Sequence, residues 1–91
     1  MKTISFDFNS ISDLNNFYQA FQKKFGLDAY MANNLDGLWD TLTGIIGLPV
    51  RINFKNLNLE KLEKFKHLIT LFQEAEKETD NEIMFSYFLS N

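Results

Sequence analysis

Between Met1 and Phe25 the spacing of the apolar side chains changes from two to between three and four, and no single element accommodates both periods. Ile4, Phe6 and Phe8 alternate with Thr3, Ser5 and Asp7, which predicts a half-buried strand over residues 1–8. After a polar break, Leu14, Phe17, Tyr18, Phe21 and Phe25 recur at helical spacing, with Ser12 placed to cap the start and Gly26 to terminate the end. A strand followed at once by an amphipathic helix commits the chain to helices packed on a sheet.

The same grammar continues to the C-terminus. Asn33 or Asn34 offers an oxygen to the free amides of a second helix, whose stripe is Leu35, Leu38, Trp39 and Leu42 and which Gly44 ends. Gly47 and Pro49 turn the chain into a second strand, where Val50, Ile52 and Phe54 alternate with Arg51, Asn53 and Lys55. The pattern from Leu59 to Ala75 is too long for one straight helix of constant face, so a break is expected near Lys64. Residues 82–89, EIMFSYFL, are apolar on both sides and predict a third strand more enclosed than the others. This order predicts an α/β fold, with three parallel strands and about four helices covering chiefly one face. Two right-handed units sharing the first strand would place the strands in the order 2-1-3.

The chain of 91 residues suits a single domain with one core, and ten Phe supply the buried surface that a disulfide-stapled protein of this size would lack. With no Cys there is neither a disulfide framework nor a Cys-based metal site, which fits a reducing compartment; the cytoplasm is the expected location. MKTISFDFNS has no continuous apolar run, and nothing approaches the length of a membrane span, so neither export nor membrane association is expected. A net charge of −3 and a pI near 5.0 argue against direct nucleic-acid binding and favour a basic protein as partner.

That charge is unevenly spread. From Phe25 to Val50 there is no Lys or Arg, while Asp28, Asp36 and Asp40 all lie there. On a helix Asp36 and Asp40 stand at i and i+4, where like charges cost a few tenths of a kcal/mol, about 0.2–0.5. The helix dipole accounts for Asp36 in the first turn; Asp40, one turn on, has no basic residue at i±3 or i±4. It is either a solvated face or an anchor for a partner's cation. By spacing Trp39 belongs to the core stripe, whereas Tyr30, in the preceding loop, suits either packing or a binding hot spot. Glu74 and Glu76 read as the polar side of a late helix. Catalysis finds little support: His67 is the sole histidine, no nucleophile motif surrounds a serine, and two carboxylates on one helix without a third acid or a Gly-rich loop are weak grounds for Mg²⁺. No cofactor and no metal are expected.

SISDL at residues 10–14 and NLDGLWDTLTG at residues 34–44 resemble the first-helix opening and the binding helix of the barstar family of intracellular ribonuclease inhibitors. With Pro49 before the second strand, the QEAEKE helix and an apolar C-terminal strand, the likeness spans essentially the whole chain. It implies a three-stranded parallel sheet packed against helices, and a protein that is monomeric when free and not an enzyme. It also implies bacterial provenance and a small, basic, barnase-like secreted ribonuclease as partner, whose active site the second helix and preceding loop plug in place of RNA phosphates.

Carried over by motif, the resemblance assigns Asp40 to the phosphate-binding position of the enzyme, Asp36 to a second acid and Tyr30 to the ring covering the catalytic histidine. Asn34, Leu35, Trp39, Thr43 and Gly44 fall at neighbouring interface or supporting positions, and Glu74 at a peripheral acid. Met31, Ala32 and Asn33 stand where the familiar member has an aromatic, a glycine and an acid, and Ile45 where it has a second Trp. The resemblance further implies a cis Leu48-Pro49 bond. The alternative is the same fold serving as a binding module for another basic partner or toxin domain.

Overall fold

The computed structural model describes residues 1–90. In chain order it holds β1 (Lys2–Asp7), α1 (Leu14–Phe25), α2 (Leu35–Gly44), β2 (Val50–Leu57), α3 (Leu59–Lys64), α4 (Lys66–Glu78) and β3 (Ile83–Leu89). All strand pairs are parallel: Ile4 lies against Ile52 and Phe6 against Phe54, while Ile52 lies against Phe85 on the other side.

The strand order is β1-β2-β3, which corrects the expected 2-1-3. The reason lies in the one-sided covering. Two right-handed crossovers put their helices on the same face only when both step across the sheet in the same direction, and an order of 2-1-3 would reverse direction between them. The central β2 accordingly carries the fully enclosed side chains Val50, Ile52, Phe54 and Leu57. A second correction follows: β3 is an edge strand, and beyond Phe85, which still stacks on Phe72 of α4, its side chains leave the helical cover, so that Tyr87, Phe88 and Leu89 are exposed. Apolar side chains on both sides of a strand signal burial only when another layer or strand reaches them.

Seven of the ten phenylalanines, Phe6, Phe8, Phe17, Phe21, Phe54, Phe65 and Phe72, are fully buried and form one aromatic core. Phe6 and Phe17 have ring centroids 4.8 Å apart, and Phe54 meets Phe72 edge-on at 5.0 Å, a geometry that adds to plain area burial. The open face carries Arg51 and Lys55, with Asn53 half-covered between Ser5 and Ser86.

The caps explain where the helices begin. Asp13, not Ser12, caps α1: its carboxylate accepts the Asn16 amide at 2.8 Å, while the Ser12 hydroxyl donates to the Asn16 side chain at 2.5 Å. Both residues are good caps, and the register of the Leu14 stripe decides between them. Gly26 closes α1 in the left-handed region, with φ 66°. The helical pattern breaks at Phe65, one residue past Lys64, where the backbone leaves helical geometry and the ring drops into the core. The Leu48-Pro49 bond is cis.

Candidate functional site

The loop before α2 is fixed from both sides. The Gln22 side chain donates to the Met31 carbonyl at 2.9 Å, and the Asp28 carboxylate accepts the Tyr30 amide at 2.9 Å. Ala32 adopts a left-handed φ of 53° and is buried, holding the chain where a glycine would be the unstrained choice. This clamp leaves the Tyr30 side chain in solvent at 90% exposure, so its ring contributes nothing to the core.

Asn34 is the α2 cap: its side-chain oxygen accepts the Gly37 amide at 2.7 Å and its carbonyl accepts the Leu38 amide at 2.8 Å. A Cβ on Gly37 would sit 3.3 Å from that same Asn34 oxygen and 3.6 Å from the Ala32 Cα, so the absence of a side chain here lets loop and helix start close tightly. Leu38, Thr41 and Leu42 are buried, with the Thr41 hydroxyl donating to the Gly37 carbonyl at 2.8 Å. That orientation turns Asp36 and Asp40 outward, and both are exposed. The ion pair among the described residues is Lys66 with Glu63 at 3.1 Å, so neither aspartate is clamped by a lysine or arginine of its own chain.

Leu35 and Trp39 are half-buried, packed against the core yet lining a groove of about 320 Å³ between α2 and α4. Trp39 is therefore both stripe and surface. Asp36 and Glu74 stand on the same groove, with His67, Thr70 and Leu71 completing the α4 wall. The groove thus combines apolar walls with two carboxylates at its rim, a shape suited to a cationic side chain with an aliphatic stem. Tyr30, Asp40, Thr43 and Gly44 lie outside it. The Thr43 hydroxyl donates to the Trp39 carbonyl at 2.8 Å, and Gly44 is exposed at the helix end.

Sequence reasoning missed three features. His67, Thr70 and Leu71 belong to the groove wall, which only the packing of α4 on α2 reveals. Glu78, Asp80 and Glu82 gather around a second depression with Thr43 and Leu48, extending the acidic face past the end of α2. Glu76, read as part of a solvated face, instead folds back and accepts the Phe85 amide at 2.9 Å. Among the described residues, no group of three or more His, Cys, Asp or Glu side chains could hold a metal ion, and no helix is long and apolar enough to cross a membrane.

A parallel three-stranded sheet covered on one face by four helices, with an unpaired acidic helix at its surface, defines an α/β architecture of barstar type. The chain belongs to the Barstar (barnase inhibitor) family, which it matches over residues 1–90. It is similar to a Bacillus subtilis (strain 168) protein named "Putative ribonuclease inhibitor YrdF", at 27% identity over 85 residues that span 90% of this chain and 93% of that one.

Proposed function

We propose that this protein inhibits a small, basic, secreted-type ribonuclease by inserting α2 and the preceding loop into its active site, with carboxylates taking the place of RNA phosphates. The observation carrying this reading is that Asp36 and Asp40 are both exposed and unpaired on a rigid, capped helix. An anionic surface that its own chain leaves unsatisfied is matched by a cleft made positive to hold phosphate. Family membership and the name of the B. subtilis relative support the same direction.

In this mechanism Asp40 accepts several charge-assisted hydrogen bonds at the phosphate position, Asp36 and Glu74 flank a cation lying over Trp39, and Tyr30 covers the enzyme's histidine. Asn34, Thr43 and Gly44 hold or border the helix, and Leu35 supplies an apolar wall. The protein acts without catalysis or cofactor, as a monomer in the cytoplasm, by occupying the site. Ile45, 55% exposed where the resemblance expects a tryptophan, favours a partner whose rim differs from that of barnase, including another basic toxin domain.

The test is a titration of a panel of basic microbial ribonucleases at low and moderate salt. Stoichiometric inhibition that weakens with salt supports the proposal; a panel left fully active, with another basic protein captured instead, would transfer the same face to the alternative partner.

A further inference from the structure

A groove of about 690 Å³ lies between α1 and β1, lined by no residue of α2, and here the charge is reversed. Lys23, Lys24 and Lys55 line it, none of them in an ion pair among the described residues. The dipole of α1 accounts for Lys23 and Lys24 in its last turn, but not for Lys55, which reaches the groove from β2. Asp7, the acid among the lining residues, accepts from the Asn9 amide at 2.9 Å and the Asn56 side chain at 2.8 Å and forms no ion pair with any of the three lysines. In a chain of net charge −3, this concentration of unpaired cations is out of keeping with the whole.

The backbone beside them is also open. The Phe8 amide donates to the Lys55 carbonyl at 2.9 Å, which fixes the alternation: Ile4, Phe6 and Phe8 turn their peptide groups towards β2, while Thr3, Ser5 and Asp7 turn theirs outward. Among the described residues no strand lies on that side. The other sheet edge is treated differently, because the outward amides of Ile83 and Phe85 are capped by Thr79 at 3.1 Å and Glu76 at 2.9 Å from α4. One edge is blunted and the other is left unblocked.

From these two observations we infer that the β1 edge binds an extended acidic peptide segment of a partner protein, added as a fourth strand between β1 and α1. The outward groups of Thr3 and Ser5 pair with its backbone, and the three lysines take its carboxylates. A strand edge beside a helix is the arrangement by which extended peptides are captured, with backbone bonds giving affinity and alternate side chains giving selectivity. An extended peptide fits better than a nucleic-acid strand because the edge presents donors and acceptors in turn, where a phosphate chain uses donors alone. This site is independent of the ribonuclease-binding reading, since it shares no residue with that face.

The probe is acetyl-Glu-Val-Glu-Val-Glu-Val-amide, titrated into isotope-labelled full-length protein at low salt. The expected result is saturable movement of the Thr3, Ser5 and Asp7 amide signals, with binding weakened at least about tenfold by the Lys23→Glu, Lys24→Glu double variant and unchanged by Lys66→Glu. Amides that do not move, equal binding by both of the peptides N-methylated at one or the other alternate set of residues, or equal binding by its lysine counterpart would each overturn the inference. So would tighter binding of a six-nucleotide single-stranded RNA at the same lysines.

Discussion

Asp40 sits one turn beyond Asp36 and forms no ion pair among the described residues, so in the free protein it bears repulsion that a neutral residue would not. Truncation should therefore separate stability from function. Asp40→Ala is expected to leave the urea midpoint unchanged or slightly raised, while weakening inhibition by about 2–5 kcal/mol, the loss typical when a buried charge partner is removed. Glu74→Ala, at the groove rim, should cost under about 1 kcal/mol and act mainly on the association rate. Equal and small losses in both variants, read from inhibition titrations, would sink the plugging mechanism. A second residue-level expectation concerns acid. The Asn56 side chain, then the Asn9 amide, with Lys61 and Lys55 adding to them, hold the exposed Asp7 carboxyl below its ordinary range. Because the folded form releases this proton more readily than the unfolded chain, the resulting stability is present above the ordinary carboxylate pKa and is lost as pH falls through the lowered folded value. The stability gap between wild type and Asp7→Asn should thus shrink as pH is taken below about 4, measured by urea unfolding.

At the scale of elements, the cap of α2 does more than begin a helix. Asn34 binds Gly37, Gly37 admits the backbone of Ala32, and the loop so closed presents Tyr30. Asn34→Ala should cost about 1 kcal/mol of stability and weaken inhibition beyond what loss of one contact explains, since both the helix start and the loop lose their register. The end of α1 offers a control outside the proposed contact residues: Gly26→Ala, forced into a left-handed φ of 66° with open space around it, should cost about 1 kcal/mol by denaturant titration and leave inhibition intact. The edge of β3 shows the same economy of side chains, with Thr79 and Glu76 taking the place of a neighbouring strand.

For the whole molecule, stability rests on the aromatic core where sheet and helices meet. Phe54 contacts the rings of Phe6, Phe8, Phe17, Phe72 and Phe85, so Phe54→Ala should cost about 3–5 kcal/mol, a large share of the total available to a small domain. The resulting broad or missing unfolding transition would be seen by calorimetry. Charge at this scale is polarised: acids on α2, α4 and the turn before β3, unpaired lysines by β1. Association with a basic ribonuclease should accordingly slow as salt rises, while dissociation changes less.

What the sequence determined by itself was local: the periods of two and of three to four, the cap at Asn34, the left-handed glycine after Phe25, the break beside Lys64 and the uncompensated acids of α2. Each depends on neighbours within a few positions, where sterics and hydrogen bonding act without reference to the rest of the chain. The tertiary structure alone decided which strand is central, because that depends on the direction of two crossovers and not on any strand's composition. It also decided that EIMFSYFL emerges from cover, that Glu76 caps an edge while Glu74 stands on a groove, and that His67 and Leu71 form a wall with Trp39. These are relations between elements far apart in the chain, fixed only when all the helices compete for one face of the sheet.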